Sequence, residues 1–485
     1  MREFSEVHEP MLIGGARIDR TDRLEVTNPA RPREIVGTIV RGTPDDIDAA
    51  VLAAKAAQPA WARKGFRERA AILERGLAKL EEGQDERAVL LVRENGKPLL
   101  QARDELMSVI RRQRLALSYA GQLEEGRLLE APRGRSFISY KPYGVVASIV
   151  PWNSPIILGF TQIVAALLVG NSVIVKPPES CPLTLIGSIA LFSSMLPPGV
   201  LNVVTGLPGE IGDALTSHPG IDKVAFTGSI GSARHILSKT AQTIKDVTLE
   251  LGGNDPAIIL PGSTISSEMV DAIRDAAFEM TGQVCMAIKR IYVPKSLRDE
   301  FLARFSESVD RIVVGDGLAD QVTMGPLHSA AGRKRAQDLL DVAASGGATV
   351  QPLGSVHNEE DFAQGHFVMP TVVTGIEDRS PLVADEQFCP VIPVLDYDEL
   401  DDAVARANNT VFGLSGSVWG DDVDQAIRVA GRIEAGQIWV NAHGPAALNH
   451  QAPYGGVKQS GIGRKSGIEG ILEYAQSQTI TTREC

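Results

Sequence analysis

Three side chains, in three separate motifs, have the chemistry of a nucleophile, a base and an oxyanion donor. Cys285 ends the motif Gly282-Gln283-Val284-Cys285, and a cysteine thiolate can attack an electrophilic carbon. Glu250 ends an otherwise apolar strand, where desolvation raises the pKa of a carboxyl group toward the range of a general base. Asn153 follows another strand, and its amide could face developing negative charge. Taken alone, however, a single cysteine is most often a small buried apolar residue.

Two other motifs have the composition of a nucleotide-binding edge. Gly228 and Ser229 lie in a turn that follows an apolar strand and opens a helical stretch, where backbone N–H groups and the helix dipole can hold a pyrophosphate. Lys176 and Glu179 stand at the carboxyl end of another strand, the edge at which open α/β sheets bind ligands, and Glu179 could accept hydrogen bonds from ribose hydroxyls. The first motif is also compatible with a plain tight turn, and the second with a solvated charge pair.

The elements that must position these residues can be read from the apolar pattern. Residues 44–130 have helical spacing and predict a helical block that starts at Pro44. Six short apolar runs lie at 145–150, 172–175, 201–204, 223–226, 247–249 and 257–260. Most are separated by enough chain for a crossover helix, and consecutive apolar residues are typical of strands covered on both faces. The pattern predicts a doubly wound parallel sheet over residues 140–260.

A second α/β domain is predicted by a similar series farther along the chain. Its predicted strands are 290–293, 391–394, 416–418 and 437–440, and its predicted helices are 297–309, 330–344 and 400–407. Residues 446–467 contain several glycines and basic residues, and predict a long ordered loop of the kind that carries function.

Composition excludes several classes of protein. The chain has 485 residues, of which 44% are hydrophobic and 22% charged, as in a globular protein of two or three domains. Disorder, collagen and coiled coil are excluded. A net charge of -12 without a dense basic run predicts no nucleic-acid partner. The apolar stretches are too short for a membrane helix, and the N-terminus has no apolar segment after a basic start, so we expect a cytoplasmic protein without a membrane partner.

The four cysteines, at positions 181, 285, 389 and 485, have no paired or metal-like spacing. A disulfide framework and a zinc site are therefore not expected, and no metal is predicted. Cys181 and Cys485 are assigned structural roles.

The motifs occur in the order typical of the aldehyde dehydrogenase superfamily, which the sequence resembles from about residue 10 to residue 480. The motifs that carry the resemblance are Pro151-Trp152-Asn153, Lys176 to Glu179, Phe226 to Ser229, Glu250 to Gly253, Gly282 to Cys285, Glu386-Gln387-Phe388 and Tyr454 to Gly461. The resemblance implies that Cys285 attacks the aldehyde carbon and that Asn153 and the Cys285 N–H hold the oxyanion. Hydride would then pass to a nicotinamide, and Glu250 would activate the water that hydrolyses the thioester.

The resemblance also implies a cofactor site. The residues implied to contact the cofactor are Trp152, Lys176, Glu179, Gly228, Ser229, Leu251, Glu386 and Phe388. Because the Glu179 carboxylate would repel a 2′-phosphate, NAD is favoured and NADP is possible.

Substrate class follows from the implied tunnel positions, which are mostly neutral and apolar: Ser154, Leu158, Thr161, Val284, Met286 and Leu448. They favour an aliphatic or aromatic aldehyde. Arg111, Arg112 and Arg114 are either a solvated helix face or, in part, a carboxylate site, which would favour a semialdehyde acid. A coenzyme A acylating enzyme is the other alternative, but such members tend to lack the base, and Glu250 is present. A binding protein without activity would not need all three catalytic groups.

The implied fold is two doubly wound α/β domains, one Rossmann-like, with a small β bridging segment. The NAD-binding domain is expected at residues 1–122 and 141–252, the catalytic domain at 253–465, and the oligomerisation segment at 123–140 and 466–485. A homodimer or homotetramer is expected. Two residues depart from the superfamily pattern. Cys389 replaces a common glycine, and Gln476 stands near where many members carry a glutamate proposed to relay protons.

Overall fold

The computed structural model describes residues 5–483, and two large sheets organise this part of the chain. In spatial order the strands of the eight-stranded sheet are Gly461–Ile462, Asp246–Glu250, Lys223–Thr227, Val145–Ile149, Ser172–Lys176, Leu201–Val203, Met11–Ile13 and Ala16–Ile18. The strands of the seven-stranded sheet are Thr349–Pro352, Thr371–Thr374, Val391–Tyr397, Ile288–Pro294, Asp255–Ile259, Ser415–Trp419 and Gln437–Val440. The central strands of both sheets pair in parallel.

Helices cover these sheets. Before the seven-stranded sheet begins, the α-helices are Pro44–Ala62, Phe66–Lys79, Gln84–Asn95, Leu99–Ser118, Ala120–Glu125, Pro155–Val169, Leu183–Ser193, Pro208–Ser217 and Ile230–Thr240. After it begins they are Ser267–Phe278, Arg298–Val309, Ala330–Ser345, Glu359–Gln364, Pro381–Ala384, Leu400–Asn408, Val423–Ala430 and Gly467–Leu472. Short 3₁₀ turns span Ala241–Thr243, Glu279–Gly282, Lys295–Leu297, Pro445–Ala447 and Lys458–Ser460.

Three smaller sheets complete the fold. One is made of Val7–Glu9, Arg31–Val40 and Arg23–Asn28, and a second of Val313–Val314 and Ser355–Val356. The third, here called the bridging sheet, is made of Ala475–Arg483, Gly134–Pro142 and Arg127–Ala131. No helix among residues 5–483 is both long and apolar enough to cross a membrane.

The predicted α/β class and most predicted elements are confirmed. Every residue of Ser172–Lys176 and Lys223–Thr227 is buried, which explains why these strands are apolar on consecutive residues. The helical block starts at Pro44 as predicted, where the Thr43 N–H donates to the Asp46 carboxylate at 2.8 Å. The block is helical to Glu125 and then continues as the strand Arg127–Ala131.

Two sequence expectations need correction. The run at 257–260 was expected in the first sheet, but Asp255–Ile259 is a central strand of the seven-stranded sheet, between Ile288–Pro294 and Ser415–Trp419. Only four residues separate it from Glu250, too few for a parallel crossover within one sheet. The predicted loop 446–467 also contains the short strand Gly461–Ile462, which pairs antiparallel with Leu249 and Glu250. The division into three domains stays a prediction.

Candidate active site

Cys285 follows a tight turn at the end of the helix Ser267–Phe278. Met280, Thr281 and Gly282 all have positive φ, of 50°, 63° and 71°. At Gly282 a Cβ atom would lie 2.5 Å from the carbonyl oxygen of Cys389, so both the backbone conformation and the space require glycine. The turn places the carbonyl of Cys285 against Gly253, in the segment that connects the two large sheets.

Two buried side chains hold this turn in place. Lys289 Nζ donates to the carbonyl oxygens of Val284, at 2.7 Å, and Cys285, at 3.1 Å. Gln283 Oε1 accepts the His328 N–H at 2.9 Å. The backbone around the thiol is therefore fixed by hydrogen bonds from both sides, which preorganises the nucleophile.

The structure brings Asn153 against the same turn. Its amide Nδ2 donates to the Gln283 carbonyl at 3.0 Å, and its own carbonyl accepts from Lys97 Nζ at 2.9 Å. Lys97 also forms an ion pair with Glu105, whose other oxygen accepts the N–H of Ile156 at 2.9 Å. The Asn153 amide is thus held by the carbonyl of Gln283, two residues before Cys285. The amide has two N–H groups, and the second is not used by this hydrogen bond.

Glu250 ends its strand opposite Thr227 and is 4% exposed. Its Oε1 has no hydrogen-bond partner in the described part of the chain. Burial raises the pKa of Glu250 to about 7, although the charges of Lys465 and Arg464 act in the opposite direction. A Cβ at Gly455 would lie 3.0 Å from Oε1, so the loop can approach only as glycine. Such a carboxyl is poised to exchange a proton near neutral pH.

The Cys285 thiol is protonated at neutral pH in this environment. Burial raises its pKa to about 12, and the carboxyls of Glu250 and Glu386 raise it further, while Lys289 and Lys465 lower it. A thiolate is the attacking species, so the thiol needs a proton acceptor as it reacts. Glu250 is a carboxyl with both the free oxygen and the pKa for that role.

A cavity of about 450 Å³ contains both Cys285 and Asn153. Of the predicted substrate contacts, it is lined by Ser154, Leu158, Val284, Met286 and Leu448. Thr161 is not brought to this cavity. Its hydroxyl donates to the Ile157 carbonyl at 2.7 Å, and the residue lines a neighbouring cavity of about 60 Å³.

The predicted cofactor residues form a second group at the carboxyl edge of the eight-stranded sheet. Lys176 and Glu179 form an ion pair with a distance of 3.0 Å. Gly228 and Ser229 precede the helix Ile230–Thr240, and Ser229 caps it by accepting the Ser232 N–H at 3.1 Å. The remaining N–H groups of the first helical turn are of the kind that can bind an anion.

Glu386, Phe388 and Trp152 complete this group. Glu386 Oε1 accepts the Gly253 N–H at 3.0 Å, while Oε2 has no hydrogen-bond partner within residues 5–483. Phe388 packs edge to face on Trp152 with ring centroids 5.8 Å apart. Leu251 is buried and donates its N–H to the Ser460 carbonyl at 2.9 Å. The unpaired oxygen of Glu386 fits a ribose hydroxyl, and the aromatic pair of Trp152 and Phe388 fits a planar ring. The helix start after Ser229 fits a pyrophosphate, so the group as a whole suits a dinucleotide.

Sequence reasoning missed four charged residues of the site: Lys97, Glu105, Glu279 and Lys465. The first three line the main cavity, and Lys465 is buried and donates to Thr227 Oγ1 at 2.8 Å. Their positions depend on contacts across 50 or more residues, which no local motif encodes. Among residues 5–483, no cluster of three or more His, Cys, Asp or Glu could hold a metal ion.

The two departures from the superfamily pattern lie apart from the reacting groups. Cys389 is buried, and its carbonyl packs against Gly282. Gln476 is exposed in the bridging sheet, opposite Lys141. Of the cysteines assigned to structure, Cys181 is fully buried beside Asn95, and Cys485 lies outside the described residues.

Comparison with known proteins gives a consistent family. The profile of the aldehyde dehydrogenase family matches residues 17–480. Lactaldehyde dehydrogenase from Escherichia coli is similar, with a TM-score of 0.92 and 29% identity over 99% of this chain and 100% of that chain. Betaine aldehyde dehydrogenase from Staphylococcus aureus in complex with NAD+ has a TM-score of 0.91 and 32% identity over 98% and 94%.

An NADP-dependent enzyme from E. coli has a TM-score of 0.93 and 30% identity over 98% of each chain. The family profile covers almost the whole sequence, and the fold agrees with it. The chain therefore belongs to the aldehyde dehydrogenase family and is an NAD(P)-dependent oxidoreductase.

Proposed function

We propose that the protein oxidises an aldehyde to the carboxylic acid by a hydrolytic route with Cys285 as nucleophile. The observation that carries this proposal is the buried Glu250 carboxyl, which has a free oxygen and a pKa of about 7. A hydrolytic route needs a base that can accept a proton from water, and such a group serves no structural purpose.

In the first step Cys285 attacks the carbonyl carbon and its thiol proton passes to Glu250. The carbonyl oxygen becomes an oxyanion, and the Asn153 amide and the Cys285 N–H donate to it. One such donor is worth about 3 to 4 kcal/mol of transition-state stabilisation. Lys97 is a positioning residue here, because it holds the Asn153 carbonyl.

The thiohemiacetal on Cys285 would be oxidised to a thioester, for which NAD(P) would supply the hydride acceptor when bound. Glu386 Oε2 would hold a ribose hydroxyl, and Trp152 and Phe388 would bound the ring. Glu250 releases the thiol proton to solvent before the second step and is then free to act as a base again. It removes a proton from water as the oxygen attacks the thioester carbon, the carboxylic acid is released, and the departing Cys285 thiolate takes the proton from Glu250.

NAD is the favoured cofactor because Glu179 carries a carboxylate where a 2′-phosphate would approach. Its ion pair with Lys176 is compatible with a ribose that accepts from Lys176 and donates to Glu179. NADP use would require the Glu179 side chain to turn away, so it is the second choice.

The cavity lining supports an apolar segment next to the aldehyde carbon. Leu158, Val284 and Met286 provide apolar surface around Cys285. An aliphatic or aromatic aldehyde would bury its chain or ring there.

The test uses two matched cysteine variants. Cys285→Ala should abolish aldehyde-dependent NAD reduction, whereas Cys181→Ala, at a buried cysteine outside the cavity, should retain it once thermal melting shows that both variants fold. Normal turnover by Cys285→Ala would refute the proposal. Faster formation of acyl-coenzyme A than of free acid would replace the hydrolytic route with acylation.

Self-association through the bridging sheet is proposed as well. Leu128, Phe137 and Ile480 are partners in register on one face of it, with exposed fractions of 57%, 38% and 54%. An apolar sheet face of this kind favours burial in a homodimer or homotetramer. Sedimentation of the wild type and of Leu128→Glu would test this, because a wild-type monomer contradicts it. The cytoplasmic location stays a prediction.

A further inference from the structure

The helix Leu99–Ser118 carries three arginines in three different environments. Arg114 forms ion pairs with Glu74 at 2.8 Å and Glu81 at 2.9 Å on the outer surface. Arg111 donates to Ser108 Oγ at 3.1 Å and has no ion pair in the described chain. Arg112 makes no hydrogen bond and no ion pair with any residue between 5 and 483, and its Nε atom is buried. The sequence alone could not separate these three positions.

A partly buried guanidinium without a partner is unfavourable in the free protein. Burial lowers the pKa of Arg112, and the charge of Arg111 lowers it further, although the carboxyls of Glu105 and Glu279 act in the opposite direction. Buried charges in proteins are otherwise paired and hydrogen-bonded, so an unpaired one indicates a ligand that supplies the missing acceptor.

Arg111 and Arg112 line the same cavity as Cys285 and Asn153. Glu105, which anchors Asn153 through Lys97, lies on the same helix seven residues before Arg112. Seven residues of α-helix rise ~10 Å. The guanidinium groups are therefore displaced along the cavity from the reacting carbon, with the apolar side chain of Leu158 among the lining residues.

The carboxyl groups of Glu105 and Glu279 attract the charge of Arg112 but form no hydrogen bond or ion pair with it among residues 5–483. Glu105 is engaged by Lys97 and by the backbone of Ile156 and Ile157. Glu279 makes no ion pair with Arg112, and its pKa is raised by burial to about 7, so it is only partly ionised at neutral pH.

Two further titratable groups adjoin the arginines. Asp104 is exposed on the same helix at the edge of the cavity. His450 faces Arg111 and Arg112, and burial and these two charges lower its pKa to about 4, so it is neutral. The residues described here therefore offer the Arg112 guanidinium no hydrogen-bond acceptor, and a ligand in the cavity can supply one.

We propose that Arg112, together with Arg111, binds a carboxylate at the far end of the substrate, so that the substrate class is an aldehyde that also carries a carboxylate beyond an apolar spacer. This inference rests on the proposed function. A carboxylate is favoured because its planar pair of oxygens matches the guanidinium fork. The neutral lining near Cys285 then receives the spacer.

The experiment compares 4-formylbenzoate with its methyl ester, which has the same ring and aldehyde but no charge. Wild-type enzyme should prefer 4-formylbenzoate in kcat/KM by roughly 10- to 100-fold, the range of a hydrogen bond to a charged group. The preference should appear mainly in KM and decrease as salt increases. Arg112→Gln should remove it, and Arg112→Lys should retain part of it.

Arg114→Gln is the matched control and should keep the wild-type ratio, because Arg114 faces two surface glutamates. The measured quantity is the ratio of kcat/KM for 4-formylbenzoate to kcat/KM for its methyl ester within each variant. A general loss of activity lowers both values and leaves this ratio unchanged. Equal kcat/KM for both aldehydes in the wild type, or a preference for an aldehyde phosphate over 4-formylbenzoate, would overturn the inference. Oxidation of no aldehyde by the wild type would instead refute the proposed function.

Discussion

Two buried glutamates, Glu94 and Glu250, have the same acidity but different surroundings. Burial raises the pKa of each to about 7. Glu94 accepts the N–H of Leu183 at 2.7 Å and of Thr184 at 2.8 Å, one on each oxygen, at the start of a helix. Glu250 leaves Oε1 without a partner among the residues described.

The comparison shows that a raised pKa does not by itself identify a base. Glu94 uses its oxygens to satisfy backbone donors, which is a structural task. Glu250 keeps an acceptor free and lies beside a loop that approaches only through Gly455. The combination of shifted acidity and unused hydrogen-bonding capacity distinguishes the group that can do chemistry.

The largest expected effect is a difference in kcat between variants of Glu250 and Glu94. Glu250→Gln should lower steady-state kcat by about 10² to 10⁴, the usual contribution of a general base, and an acyl-enzyme should accumulate. Glu94→Gln should leave kcat within a few-fold of the wild type. Rapid-quench kinetics with mass spectrometry would detect the acyl group on Cys285.

Similar losses of kcat in both variants would break the comparison. Thermal melting of each variant serves as the control for folding.

An effect of intermediate size is expected on the free energy of unfolding of the Glu94→Gln variant. Glutamine at position 94 can accept with one oxygen only, so one of the Leu183 and Thr184 N–H groups loses its partner, at a cost of about 1 to 3 kcal/mol. Urea unfolding would measure the difference. A variant as stable as the wild type at pH 5 would show that these two hydrogen bonds contribute nothing.

The pH dependence of that difference has a definite sign. Folded Glu94 keeps its proton up to about pH 7, whereas the unfolded group has its ordinary value of 4.5. Between these values the folded state binds more protons, so the contribution of Glu94 to stability is complete below pH 4.5 and is lost as the pH rises to about 7. The deficit of Glu94→Gln should therefore be smaller at pH 8 than at pH 5.

The smallest expected effect is a shift in the pH profile. Lys465 lowers the pKa of Glu250, so Lys465→Met should raise that pKa. Because a base must be deprotonated to act, the acidic limb of the kcat/KM profile should then move to higher pH. The exposed Lys334, which pairs with Asp338, provides Lys334→Met as a control without a shift. If the acidic limb of the kcat/KM profile of Lys465→Met is unchanged or moves to lower pH, the electrostatic role of Lys465 is contradicted.

The sequence predicted the main strands because fully buried strands have a strong apolar pattern. Ser172–Lys176 and Lys223–Thr227 are of this kind. The strands before residue 40 were missed because their exposed and buried residues mix irregularly, as in Arg31–Val40. Asp255–Ile259 was placed in the wrong sheet because an apolar run does not specify its neighbours.

The site residues that lie in short local motifs could be predicted from the sequence. Those that distant segments of the chain bring to the site could not. Cys285, Glu250 and Asn153 each lie within a recognisable short segment, and the structure brings Cys285 and Asn153 into one cavity. Lys97 and Lys465 reach the site from segments whose local sequence gives no sign of it. The unequal surroundings of Arg112 and Arg114 depend on which side of one helix faces the cavity, which the sequence alone did not resolve.

The edge strand Gly461–Ile462 has a consequence for the acidity of the base. It pairs with the end of the Glu250 strand, and Ser460 holds the backbone of Leu251 and Gly252. Without this strand the Glu250 strand would be an open sheet edge in contact with water, and the burial that raises the pKa of Glu250 would be lost. The acidity of a residue in one strand therefore depends on a short strand that follows far along the chain.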